Sequence, residues 1–120
     1  MDTAAFGALN SLRILDLSQG VAGSSCTKLM AGFGAEVIKV EQPGRGDSIR
    51  SMGPFWKDET NVETGCLFLH LNTNKKSITL DVTNAEGAEL LRRLVPQVNA
   101  VIESYEPGFM EEHGLGYDAL

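Results

Sequence analysis

The chain has 120 residues, enough to bury one core on folding and too few for two ordinary domains. It is 42% hydrophobic and 22% charged, too apolar for intrinsic disorder, and its net charge of -6 repels polyanions such as nucleic acid unless basic residues are gathered locally. No basic-then-apolar leader opens the sequence and no stretch approaches the roughly 18 apolar residues of a membrane span, so the expected location is cytoplasmic.

Arg13 to Leu17 is a short apolar run ending at Ser18-Gln19-Gly20, as a buried parallel strand enters its turn. From Ser24 to Gly34, Cys26, Leu29, Met30 and Phe33 recur at helical spacing, with Ser24 or Ser25 available as N-cap and Gly34 as the stop. Their spacing predicts an amphipathic helix with those four on its buried face. Ala35 to Glu41 returns to a β-branched run that Pro43-Gly44 closes, completing a βαβ unit. Residues 43 to 65 have no sustained period and read as a long surface loop.

Cys66 to Leu71 and Lys76 to Val82 read as two strands in a hairpin-like excursion around Asn72-Thr73-Asn74. Thr83-Asn84-Ala85-Glu86 fits a capping box, and Gly87, Leu90, Leu91 and Leu94 share a helix face until Pro96. Val98 to Tyr105 supplies another strand, Glu106-Pro107-Gly108 breaks it, and a short helix, a turn at Gly114-Leu115-Gly116 and the start of a further helix follow. Alternating strands and helices predict an α/β fold with a doubly wound sheet. Ending as an element begins, the sequence reads as the front of a longer domain.

Ligands of open α/β sheets bind beyond the carboxyl ends of the strands, which directs attention to the turns at 18 to 25, 41 to 50 and 104 to 112. Gly20-Val21-Ala22-Gly23 leads into a helix N-terminus suited to an anion, although it is not GxGxxG. Glu41 follows Gly20 by 21 residues, where a dinucleotide site places its ribose-binding acid; a solvated strand-end glutamate explains it equally. Arg45, Arg50, Lys75 and Lys76 are the bases placed to meet a polyanion, or are solvated loop charges. Arg92 and Arg93 pair with Glu89 along a helix surface. Cys26 and Cys66 read as buried, reduced packing residues, His70 and His113 as structural or solvated, and Asp16 as a locally hydrogen-bonded carboxylate. No metal motif, P-loop, nucleophile elbow or triad is visible. Residue by residue, the sequence points to a nucleotide-type α/β site and shows no chemistry.

The run LRILDLSQGVAGSSCTKLMAGFGAEVIKVEQPGRGDSIR (Leu12 to Arg50) strongly resembles the opening of class III CoA-transferases of the CaiB/BaiF type. That family includes formyl-CoA transferases, carnitine CoA-transferases and α-methylacyl-CoA racemases. The likeness continues through LNTNKKSITLDV, the Gly87 helix and VIESYEPGFMEEHGLGYDAL. It implies a Rossmann-like large domain, of which residues 1 to 120 are the N-terminal, CoA-binding segment, with a second, smaller domain further along and an interlocked homodimer. It implies an aspartate that attacks an acyl-CoA thioester to give a mixed anhydride, so that CoA passes to a carboxylic acid acceptor; that aspartate falls outside the matched region, as does the racemases' acid/base pair. No catalytic residue is therefore assigned, and these 120 residues alone are expected to be inactive.

The same resemblance implies CoA contacts at Val21 and Ala22 in the first turn, along Leu80 to Thr83, and at Ser104, Tyr105 and Glu106 at a strand end. Gln42 stands where relatives often carry an arginine against the CoA nucleotide, and Glu112 where some carry another, so both departures remove positive charge near a polyanion. The alternatives are a free-standing nucleotide- or CoA-binding module, part of an acyl-CoA racemase, or an assembly piece with exposed sheet edges.

Overall fold

Arg13–Asp16 forms the first strand, β1, and Glu36–Glu41 lies parallel to it as β2, with Asp16 directly opposite Lys39. Lys76–Thr79 (β3) pairs parallel to β2 and Ala100–Ile102 (β4) parallel to β1, giving the order β3-β2-β1-β4. The structure is a computed structural model and describes residues 7–120. An all-parallel sheet in this order is the first four places of a doubly wound fold, as expected.

Side chains alternate across the sheet and so build two cores. Ile14 and Val37 pack with Ala31 and Ala35 under the first helix, Val21–Gly32 (α1). Leu15 and Val40 pack on the opposite face with Val82, Ala88, Leu91, Met110 and Leu115, beneath Ala85–Leu94 (α3) and Phe109–Glu112 (α4). Burying Leu91 completely contributes about 1.5–3 kcal/mol.

Helix α1 departs from its predicted face. Its N-cap position is Gly20, at φ 78° and with no side-chain cap, rather than Ser24 or Ser25, and its buried residues are Ser24, Thr27 and Ala31. Leu29 and Phe33 are 64% and 60% exposed and Cys26 is exposed. The reason lies beneath the helix: Asp16 and Lys39 share the sheet face of Ile14 and Val37, and α1 must cover those charges with hydroxyls. The Thr27 hydroxyl donates to Asp16 at 2.6 Å, and Lys39 reaches Ser24 Oγ at 3.4 Å. Periodicity alone ranks apolar residues inward and has no term for a buried charge. Leu29→Ser and Phe33→Ser should therefore each leave the urea-unfolding free energy within about 0.5 kcal/mol of the parent. Thr27→Val, nearly isosteric, should cost about 1–3 kcal/mol by leaving a buried acceptor short of a donor.

Cys66–Leu71 is helix α2, not a strand, so there is no hairpin-like excursion. Phe68 and Leu71, three apart, turn inward onto Ile49, while Leu69 and His70 between them are exposed. A six-residue apolar run fits either period, and here the connection from β2 to a parallel β3 requires a crossover. Cys66, half-buried, is not the fully buried packing residue expected. Strand β3 stops at Thr79, although the Leu80 N–H still donates to the Glu41 carbonyl at 2.9 Å, and β4 is shorter than the predicted Val98 to Tyr105. Asn84, not Thr83, caps α3, accepting from the Gly87 N–H at 2.7 Å. Among the described residues no helix is long and apolar enough to cross a membrane.

Candidate functional site

Three segments converge at the carboxyl ends of the strands. The Ser18-Gln19-Gly20 turn after β1 sits between the loop after β2 and the segment after β4. On one side the Gln19 N–H donates to Ser104 Oγ at 2.8 Å, and the Ser104 hydroxyl returns a bond to the Gln19 carbonyl at 3.1 Å. On the other, the Ser48 N–H donates to Gln19 Oε1 at 3.3 Å and the Gly20 N–H to Asp47 Oδ1 at 3.0 Å. These ties frame a cleft of about 600 Å³ whose walls include Gln19, Gln42, Arg45, Thr83, Tyr105 and Phe109. Its size and mixed polarity suit a small-molecule ligand.

Beneath the cleft lies a buried set of charges. Lys39, 1% exposed, donates to the Ser18 carbonyl at 3.0 Å and pairs with Asp47 at 2.7 Å. Asp16, fully buried, accepts from the Ser18 and Thr27 hydroxyls, the Ser18 N–H and Lys75. Lys75 also donates to the Ser24 carbonyl and Asn72 Oδ1. Two carboxylates thus balance two ammonium groups, and every lone pair and proton has a partner, the condition under which buried charge is tolerated. Burial pushes the Asp16 carboxyl up, but Lys39, the two hydroxyls and Lys75 outweigh it and hold its pKa below the ordinary value.

Glu41 is occupied in the same way. Arg50 donates to both its oxygens at 2.6 and 2.9 Å, and the Asp47 N–H and Ser77 hydroxyl complete its bonding. Burial raises this carboxyl, and the Arg50 fork, the Asp47 amide and Ser77 bring it below the usual range. It is neither a free ribose acceptor nor a solvated strand-end acid. Of the four bases expected near a polyanion, Arg50 is spent on Glu41 and stacks 3.7 Å over the Phe68 ring, Lys75 is buried on Asp16, and Lys76 pairs with Glu36 at 2.6 Å. Arg45 alone of the four lines the cleft. Arg92 pairs with Glu89 as expected.

The cleft brings together Gln42, Thr83 and Tyr105, and Ser104 adjoins it through Gln19. Val21 and Ala22 lie exposed at the start of α1, outside the cleft walls. Leu80 packs against the core beneath α3, and Glu106 is exposed, its carbonyl accepting the Phe109 N–H at 3.0 Å. Gln19, Asp47 and Phe109 also line the cleft, and the sequence did not single them out. Phe109 had a signal, standing four residues after Tyr105; their rings stack at 4.2 Å and 19°, and His113 continues the ladder at 4.4 Å from Phe109. Burial, with help from the Glu103 charge, pushes the Tyr105 hydroxyl up, so it stays protonated and can donate. His113 and His70 have ordinary structural contacts, His113 Nδ1 lying 2.8 Å from the Phe109 carbonyl and the His70 ring against Lys28. Among the described residues no three His, Cys, Asp or Glu side chains are grouped to hold a metal ion.

The profile of "CoA-transferase family III" matches residues 9–120. A succinyl-CoA--D-citramalate CoA-transferase of Chloroflexus aurantiacus is 46% identical over 113 residues, which are 93% of this chain and 27% of that protein. A succinyl-CoA:mesaconate CoA-transferase of Haloarcula hispanica is 44% identical over 95% of this chain and 28% of its own length. A formyl-CoA:oxalate CoA-transferase of Rhodopseudomonas palustris is 42% identical, over 94% and 26%. Among solved structures, a CAIB/BAIF family protein from Brucella suis superposes with a TM-score of 0.82 at 35% identity, covering 94% of this chain and 30% of that one. The chain therefore spans a little over a quarter of the length of these curated relatives.

Proposed function

Because the chain belongs to CoA-transferase family III, we propose that it forms the CoA-recognising part of an enzyme that moves CoA from an acyl-CoA to a carboxylic acid. The observation that carries this is the position of the cleft: it opens at the carboxyl ends of parallel strands, and Gln42, Thr83 and Tyr105, three residues to which the family resemblance assigns CoA contacts, line it together. In this reading the stacked Tyr105 and Phe109 rings offer an apolar face to the nucleotide base, Arg45 meets a phosphate, and Gln42 and Thr83 supply neutral polar groups. Val21, Ala22, Ser104 and Glu106 are proposed to complete the contact surface around the cleft, with Leu80, whose side chain packs on the core, contributing only main-chain atoms.

The nucleophile is proposed to be an aspartate supplied by sequence outside these 120 residues. It attacks the thioester carbonyl, the C–S bond breaks, and CoA leaves as thiolate while a mixed anhydride forms. The thiolate then attacks the aspartyl carbonyl, releasing the donor carboxylate and leaving an aspartyl-CoA thioester. The acceptor carboxylate attacks that thioester to form a second anhydride, and the expelled thiolate takes the acceptor acyl group and frees the aspartate. Within the chain, Asp16 and Asp47 are buried in ion pairs and have no free lone pair directed at a ligand. The complete enzyme is read as a homodimer. In calorimetric titration the chain should bind CoA saturably and ignore NAD, and it should show no CoA exchange between an acyl-CoA and free carboxylates. Tyr105→Ala should weaken CoA about tenfold, the scale of one lost base stack. Absence of CoA binding, or equal binding of NAD, would sink the reading.

A further inference from the structure

We propose that Asp47 is a positioning residue that sets the shape of the cleft by locking the Gln19-Gly20 turn to the loop after β2. Its contacts divide between its two oxygens. Oδ1 accepts the Gly20 N–H at 3.0 Å and the Ile49 N–H at 3.1 Å, so one atom joins the turn after β1 to the helical turn at Ser48–Ser51. Oδ2 pairs with Lys39 at 2.7 Å, and Lys39 is anchored in the sheet opposite Asp16. The carboxylate is 1% exposed, so it recognises nothing from solvent itself. It acts through its neighbours: Gly20 precedes α1 in a left-handed conformation, and adjoining Gln19 and Ser48 are both cleft walls. Asp47 stands in the periodless loop, where only the three-dimensional structure gives it a role.

The ligand half of this inference rests on the proposed CoA reading; the backbone half does not. Asp47→Ala alone would strand a buried, charged Lys39, so the comparison is made with Lys39 neutralised. Lys39→Met/Asp47→Asn keeps an oxygen for the Gly20 and Ile49 amides, whereas Lys39→Met/Asp47→Ala removes it, and neither carries an unpaired charge at the site. Amide hydrogen exchange on the full chain should show Gly20 and Ile49 at least tenfold faster in the alanine pair than in the asparagine pair, with the β1 amides equally protected in both. CoA affinity should fall at least tenfold between the same two proteins. Equal exchange at Gly20 and Ile49 would overturn the proposal, and so would a loosened turn with unchanged CoA affinity. If the parent chain binds no CoA while the exchange contrast appears, the locking role stands and the proposed function fails.

Discussion

Asp16→Ala should cost about 3–5 kcal/mol of unfolding free energy, because it removes the shared partner of two buried cations. Lys75 would keep only the Ser24 carbonyl and Asn72 Oδ1, and burial already pushes its ammonium pKa down despite Asp16. Against the total of about 5–15 kcal/mol usual for native proteins, a loss of that size is a large fraction. Equilibrium urea unfolding reads it directly. Adding Lys75→Met should recover a large part of the loss, since the penalty is the stranded charge rather than the missing pair, and a double-mutant cycle isolates that coupling. Additive losses would mean that water reaches Lys75 and the network is not closed.

The same carboxylate, with Glu41, contributes to the acid limb of stability. Asp16 and Glu41 both have folded pKa values below their unfolded ones, roughly 3.9 and 4.3. Between the folded and unfolded values the unfolded chain binds more protons, so stability rises with pH there. The contribution is fully present above about pH 5 and is lost as pH falls through 4 toward the folded values. Asp16→Ala should therefore flatten the stability-versus-pH curve below pH 4 as well as lower it.

This network also marks where reading the sequence succeeded and where it stopped. The sheet was legible because Arg13 to Leu17 and Ala35 to Glu41 are short β-branched and apolar runs bounded by turn residues, and parallel strands are buried on both faces. Yet Asp16 and Lys39 interrupt those runs, and no periodicity says that they face each other across β1 and β2. The outward face of α1, with Leu29 and Phe33 in solvent, follows from that pairing and from nothing local. Helix α2 was lost for a different reason, since Cys66 to Leu71 is too short for its period to be counted. Of the cleft walls, Gln42, Thr83 and Tyr105 had been singled out through family resemblance. Gln19 and Asp47 were not, because their roles are bonds between segments 27 residues or more apart. Arg50 and Lys75 read as ligand-facing bases because a sequence shows charge without its partner.

Gly87→Ala should destabilise the chain by about 3 kcal/mol, against the expectation from helix propensity, which favours alanine over glycine by about 1 kcal/mol. Gly87 lies in the first turn of α3, where its N–H closes the Asn84 cap. A Cβ built there would stand 1.7 Å from the Asp81 carbonyl oxygen and 2.6 Å from its carbon, so the obstacle is backbone and no side chain can rotate away. The helix would have to lift from the Asp81–Val82 segment, opening the packing of Val82, Ala88 and Leu91 on the sheet. Thr83 follows that segment and lies in the cleft wall, so a displaced α3 should also weaken the proposed CoA binding. Thermal unfolding and CoA titration on the one variant separate the two effects. An unchanged or raised midpoint would show that α3 can shift without cost, and that the close approach of Gly87 to Asp81 does not hold the cleft wall in place.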